Sequence, residues 1–216
     1  MVSGGGLPGP ADLADAVAAG LRGRAERDDL EQVVYGFDAL DELGLHPLLA
    51  EAIEAAGHGV LREQRYPGHW RKRKKSEGQR CDLVVTPDGL PLRDPAMKAT
   101  LFDRQPAVDA EEAYWLEVKT VAQFELDGAF RGYSSELLTP VMADLKKVWL
   151  DGVIAHGGLL VVLFTASAEI AEHDLAAFHR RALEKGMPVY PPCTRGFGIT
   201  DRIGNARCTV SVFGVR

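Results

Sequence analysis

Three charged residues lie inside otherwise apolar stretches of the sequence. Asp82 is part of "RCDLVV", and Glu117 and Lys119 are part of "AYWLEVKTV". Because side chains alternate between the two faces of a strand, Glu117 and Lys119 are predicted to project from the same face as Trp115 and Val121. An isolated buried charge is strongly destabilising, so these groups are expected either to pair with each other or to bind an ion.

Two carboxylates and one ammonium group on neighbouring strands suit the hydrolysis of a phosphodiester. Carboxylate oxygens are good ligands for hard divalent cations, and Mg²⁺ in particular keeps several waters that a phosphate substrate can displace. Such an ion polarises the phosphodiester and lowers the pKa of the attacking water. A neighbouring lysine can orient that water or stabilise the negative charge that develops.

On these residues the chain resembles the PD-(D/E)XK nuclease superfamily, the fold of many restriction endonucleases and repair nucleases. The matching residues are Asp82 and the triplet Glu117-Val118-Lys119, and the resemblance covers roughly residues 46 to 165. It implies a Mg²⁺-dependent nuclease, with Mn²⁺ as a possible substitute, acting on DNA. Asp82 and Glu117 would then be the metal ligands, and Lys119 the catalytic lysine.

Many members of this superfamily add an acidic residue from the first core helix to the site. The resemblance implies Glu51 for this role, with Glu54 as the alternative. The chain also departs from the pattern: Cys81 occupies the position of the proline in the family name, and the stretch 90–112 lengthens the gap between Asp82 and Glu117. The sequence therefore assigns no subfamily and leaves the cleavage pattern open.

The net charge of −6 hides one strongly basic stretch, residues 62–80, here called the basic segment. It holds eight Lys or Arg and two Glu, so its charge is +6 and that of the remainder is −12. Such a segment is predicted to neutralise nucleic-acid phosphates. The residues expected to contact phosphate, sugar or base are Trp70, Arg71, Lys72, Arg73, Lys74 and Lys75. A solvated loop or a nuclear targeting signal is the alternative interpretation.

Two interpretations of the whole chain stay open. In the first, Asp82, Glu117 and Lys119 form a nuclease site. In the second, the same fold is a catalytically silent module that binds nucleic acid or a protein partner, and Glu117 and Lys119 form only an ion pair at the end of a sheet.

The elements that would position these residues alternate in type along the chain. Helices are predicted over 11–29, 30–44, 45–57, 137–157 and 169–186, and strands over 58–67, 80–89, 113–121, 158–167 and 206–215. In the helix over 45–57, Pro47 is expected in the first turn. Three consecutive strands followed by a helix and a strand favour an α/β fold with a mixed sheet. The resemblance makes this a restriction-endonuclease-like three-layer sandwich with an α-β-β-β-α-β core.

The chain is predicted to divide into a flexible tail (1–10), a helical extension (11–45) and the nuclease-like domain (46–216). Three roles are open for the acidic extension: capping the core, forming a homodimer, or contacting a larger complex. The longest apolar run, residues 159–164, is far too short for a membrane helix. The start of the chain lacks the features of a signal peptide and its three cysteines are scattered, so a cytoplasmic protein without membrane contact is expected.

Overall fold

A mixed six-stranded sheet forms the centre of the computed structural model, which describes residues 6–69, 79–93 and 106–215. Its strands follow the order β1-β2-β3-β6-β8-β7, and β4 and β5 form a separate small hairpin. The strands are β1 (Gly59–Arg65), β2 (Arg80–Thr86), β3 (Tyr114–Ala122), β4 (Phe124–Glu125), β5 (Gly128–Ala129), β6 (His156–Thr165), β7 (Cys193–Gly198) and β8 (Arg207–Val215). The helices are α1 (Pro10–Leu30), α2 (Glu42–Ala55), α3 (Tyr133–Leu138), α4 (Pro140–Leu150) and α5 (Ala168–Glu184).

Strand directions divide the sheet into an antiparallel and a parallel part. β1, β2 and β3 pair antiparallel in sequence, whereas β3 and β6 run parallel over nine residue pairs. Parallel neighbours need a crossover connection, and α3 and α4 supply it. β8 then pairs antiparallel with both β6 and β7. The predicted α/β class with a mixed sheet is confirmed.

Helices cover both faces of this sheet, so the core is in two parts. α1 and α2 pack on one face, against side chains that include Leu116 and Val118. α4 and α5 pack on the other face, against Trp115 and Val121. The alternation predicted for the strand that carries Glu117 is therefore confirmed, and it follows from the period of two in an extended chain.

The helix predicted over 30–44 is wrong. The chain turns after α1, forms a short 3-10 helix at Phe37–Ala39, and begins α2 at Glu42. Buried Asp28 favours the turn by accepting the Phe37 N–H at 3.0 Å, and Asp41 caps α2 by accepting the Gly44 N–H at 2.8 Å. Because α2 begins earlier than predicted, Pro47 lies inside the helix rather than in its first turn.

The N-terminal helix α1 belongs to the core of the sheet. Its residues Leu13, Val17 and Leu21 are fully buried in the same cluster as the sheet residues. Close contact with α2 requires Gly20, since a Cβ there would lie 2.3 Å from the Cβ of Ala52. The extension thus covers one face of the sheet, and the boundary predicted at residue 45 falls inside α2.

One helix and one strand of the C-terminal half differ from the sequence prediction. The helix predicted over 137–157 is shorter: α4 begins at Pro140 and ends at Leu150, and α3 precedes it. Strand β7 was not predicted, because two glycines and a preceding Pro-Pro pair hide its strand character. Within the described ranges, no helix combines the length and apolarity needed to cross a membrane.

Candidate metal centre and active site

Asp82 lies where β2 and β3 separate. The last residue pair between these strands is Leu83 with Leu116, and beyond it the Asp82 carboxylate accepts the Val118 N–H at 2.7 Å. This hydrogen bond holds the carboxylate beside the backbone between Glu117 and Lys119. Burial raises the pKa of Asp82 above its ordinary value, although the bond from Val118 opposes that shift. The predicted proximity of Asp82 to the Glu117–Lys119 segment is observed.

Glu117 is the most deeply buried acid of the site, with 2 % of its surface exposed. Tyr66 donates a short hydrogen bond to its Oε1, and the Lys147 ammonium lies 3.5 Å from its Oε2. Burial raises the pKa of Glu117 to about 8, and the negative charge of Asp82 adds to the increase. The two carboxylates thus repel each other in a poorly solvated place, an arrangement that a cation relieves.

The ammonium group of Lys119 is held by two other carboxylates. It lies 2.6 Å from Glu136 on α3 and 3.3 Å from Glu42 on α2, and the Lys119 side chain is 13 % exposed. Burial lowers the pKa of Lys119, but the bond to Glu136 and the charge of Glu42 outweigh it, so the pKa is raised. Glu42 also accepts the Thr120 N–H at 3.1 Å, which fixes α2 to the strand beside Lys119.

His46, which the sequence alone indicates to be a surface or core residue, joins Asp82 and Glu63 in a cluster of possible metal ligands that does not include Glu117. One ligand atom each from His46, Glu63 and Asp82 lies within 4.8 Å of the others. His46 is 4 % exposed, and its Nε2 is shielded without a hydrogen-bond partner in the described part of the chain. Glu63 lies in β1 with a left-handed φ of 55°, a strained conformation for a residue with a side chain. Imidazole nitrogen with carboxylate oxygens is a donor set that fits a divalent metal.

Glu51 lies apart from this cluster. It is exposed, and nine residues at 100° each place it on the opposite side of α2 from Glu42. His46 is four residues after Glu42 and therefore faces the sheet with it. The helical spacing of Glu42 and His46 was the available signal, but it depends on starting α2 at the correct residue.

The middle of the basic segment, residues 70–78, lies outside the described residues. Trp70 and residues 71–75, the predicted nucleic-acid contacts, belong to the part that the structure does not describe, so their role stays a prediction. The described surface next to Lys119 is a cleft of about 500 Å³. Its lining includes Glu42, Glu125, Asp127 and Glu136 as well as Lys119, which makes this side of the site acidic.

Comparisons with known proteins give no relative: no family model, no curated protein and no solved structure matches the chain.

Proposed function

We propose that the protein is a Mg²⁺-dependent nuclease that hydrolyses phosphodiester bonds in DNA, with Mn²⁺ as a possible substitute for the ion. Asp82 and Glu117 are the proposed metal ligands and Lys119 the proposed catalytic lysine. The observation that carries the proposal is the junction of β2 and β3. There the Asp82 carboxylate bonds to the backbone between Glu117 and Lys119, and the pKa values of both acids are raised.

The topology supports the same proposal. A helix, three antiparallel strands, a crossover helix and a strand parallel to β3 follow one another as α2, β1, β2, β3, α4 and β6. This is the order expected of a restriction-endonuclease-like core, and the proposed fold is of that kind. The added strands β8 and β7 extend the sheet beyond the core on the side away from the site.

The residues present fit a divalent ion. The charge of Asp82 raises the pKa of Glu117, and this repulsion is relieved when a cation binds. The buried Nε2 of His46, which has no partner in the described part of the chain, gains a bond in the same event. We therefore propose His46 as the contribution of the first core helix, in place of Glu51. When bound, the ion supplies charge stabilisation and an activated water.

Hydrogen bonds and charges within the chain orient the proposed metal ligands and set the protonation state of Lys119. Tyr66 fixes the orientation of Glu117 by donating to Oε1, and Lys147 offsets part of the negative charge at Oε2. The Val118 N–H fixes Asp82 in the same way. Lys119 stays protonated because its pKa is raised, so its proposed role is to stabilise negative charge on the phosphate rather than to accept a proton.

One observation favours the alternative, a catalytically silent module that binds nucleic acid or a protein. Lys119 is already paired with Glu42 and Glu136, and the adjoining cleft carries further acids. In a silent module, Lys119 would serve only to form these ion pairs. In a nuclease, substrate phosphate has to compete with Glu136 for the ammonium group.

Cleavage of plasmid, linear duplex and single-stranded DNA in Mg²⁺ or Mn²⁺ separates the two functions. The nuclease cuts at least one substrate, and cutting is lost in EDTA, in Asp82→Ala and in Lys119→Ala. Lys185→Ala, an exposed lysine beyond the end of α5, is the matched control and keeps full activity. DNA that shifts in a gel at low salt but is never cut would favour the silent module.

A further inference from the structure

A second cavity lies on the other side of the sheet from the α1 and α2 helices, against the added strands β7 and β8. It has a volume of about 520 Å³, and α5 forms its other wall. Ala171 and Leu175 supply an apolar surface, and His179, Thr194, Arg207 and Thr209 supply polar groups. A volume of this size with a few converging polar groups is typical of a small-molecule site. The cavity shares no lining residue with the cleft beside Lys119.

Arg207 is the cation of this cavity. Its Nε is shielded from solvent and has no hydrogen-bond partner in the described part of the chain. The Nε2 atom of His179, which also lines the cavity, is shielded and unpartnered too. Leaving a shielded polar group unpaired is unfavourable, so both side chains gain from an acceptor bound in the cavity.

Gly196 allows this arrangement. A Cβ at residue 196 would lie 2.4 Å from Nη2 and 3.0 Å from Cζ of Arg207, so the guanidinium lies directly across the β7 backbone. A planar fork of N–H groups held in this way matches the geometry of an oxyanion. Two carboxylates of α5 lie near this cation: Glu172 lines the cavity, and the charge of Arg207 contributes to the lowered pKa of Glu169. Both are exposed to solvent, where water screens their charges.

We propose that this cavity binds a small oxyanion carried on an apolar group, through Arg207 and His179. The ligand class is an organic phosphate or carboxylate that fits against Ala171 and Leu175. The proposal is independent of the nuclease proposal, since it uses different residues and needs no metal.

The test is to titrate phenyl phosphate into the full chain in EDTA and to monitor binding by ¹H–¹⁵N NMR. Benzoate and phenol are the comparison ligands: benzoate reports whether a carboxylate is accepted in place of phosphate, and phenol lacks the negative charge. We expect saturable shifts at Thr194, Gly196 and Thr209, and at least about tenfold weaker binding of phenol, because a charge-assisted bidentate contact is lost.

Two variants and a control complete the test. Arg207→Gln is expected to weaken phenyl phosphate about tenfold, and Gly196→Ala to weaken it by displacing the guanidinium. Arg180→Gln, an exposed arginine on α5 that lines a different depression, should bind as the wild type does. Should Arg207→Gln fail to fold, Gly196→Ala decides. No saturable binding, equal binding of phenol, or unchanged affinity in the folded Arg207 or Gly196 variant would overturn the proposal.

Discussion

Replacing Glu117 by Gln should stabilise the metal-free protein at neutral pH. Glu117 is 2 % exposed, and its pKa is about 8 in the folded chain against an ordinary 4.5. Between these values the folded state binds more protons than the unfolded state, so the free energy of unfolding falls as pH rises from 4.5 to 8. Each pH unit in this range costs about 1.36 kcal/mol. At pH 7 the accumulated penalty is thus at most roughly 3 kcal/mol.

Glutamine removes that penalty while its side-chain oxygen still accepts the Tyr66 hydroxyl. For a chain of this length, each kcal/mol moves the melting temperature by about 2–4 °C. We expect the wild type in EDTA to lose several degrees between pH 5 and pH 8, and Glu117→Gln to lose clearly less.

The assay is thermal unfolding followed by circular dichroism at pH 5, 6, 7 and 8 in EDTA. Other acids, including Asp38 and Asp82, also have raised pKa values, so the informative quantity is the difference between variant and wild type at each pH. Glu54→Gln, at an exposed position of α2, is the control and should follow the wild type. Parallel profiles of Glu117→Gln and wild type would refute the argument that burial forces Glu117 to take up a proton on folding, at a cost in stability.

Three further predictions concern the metal, the helix packing and nucleic-acid binding. In a thermal-shift assay, Mn²⁺ should raise the melting temperature of the wild type and of Glu51→Ala but not that of His46→Ala. An equal rise in all three proteins would show that His46 is not a ligand. Gly20→Ala should lower the free energy of unfolding in urea by about 1–3 kcal/mol, because the new methyl group overlaps Ala52. An unchanged urea midpoint would contradict the close contact between α1 and α2. A plot of the logarithm of the DNA-binding constant against the logarithm of the salt concentration, measured by fluorescence anisotropy, has a negative slope. Replacing residues 71–75 by Ser should reduce the size of that slope by up to about 4–5. An unchanged slope would show that these residues make no phosphate contacts.

The strand that carries Glu117 could be predicted because its evidence is local. A run of apolar residues with a period of two fixes which side chains share a face, and Trp115 and Leu116 lie on the faces expected of them. The link between Asp82 and the Glu117–Lys119 segment followed from the expectation that consecutive strands pair. These features depend on neighbours in the sequence or on the pairing of two consecutive strands.

The partners of these residues could not be predicted in the same way. Tyr66 reaches Glu117 across 51 positions and Glu42 reaches Thr120 across 78, and neither contact leaves a periodic pattern in the sequence. The prediction of a helix over 30–44 followed the helical pattern and the terminal Gly44, and it missed the contact from Asp28 that favours a turn. That error shifted the predicted start of α2 and separated Glu42 from His46. Glu51 was chosen because the resemblance calls for an acidic residue of this helix.

The packing of α1 against β8 has a consequence for how the chain is made. About 180 residues separate the end of α1 from the start of β8, which a ribosome adds in roughly 10–40 s. Through most of that interval α2 is available to cover α1, but the strands β7 and β8 that also pack on α1 have not yet been synthesised. Leu13, Val17 and Leu21 therefore remain partly uncovered until synthesis nears residue 215, which makes the nascent chain a candidate for chaperone binding at its N-terminal helix.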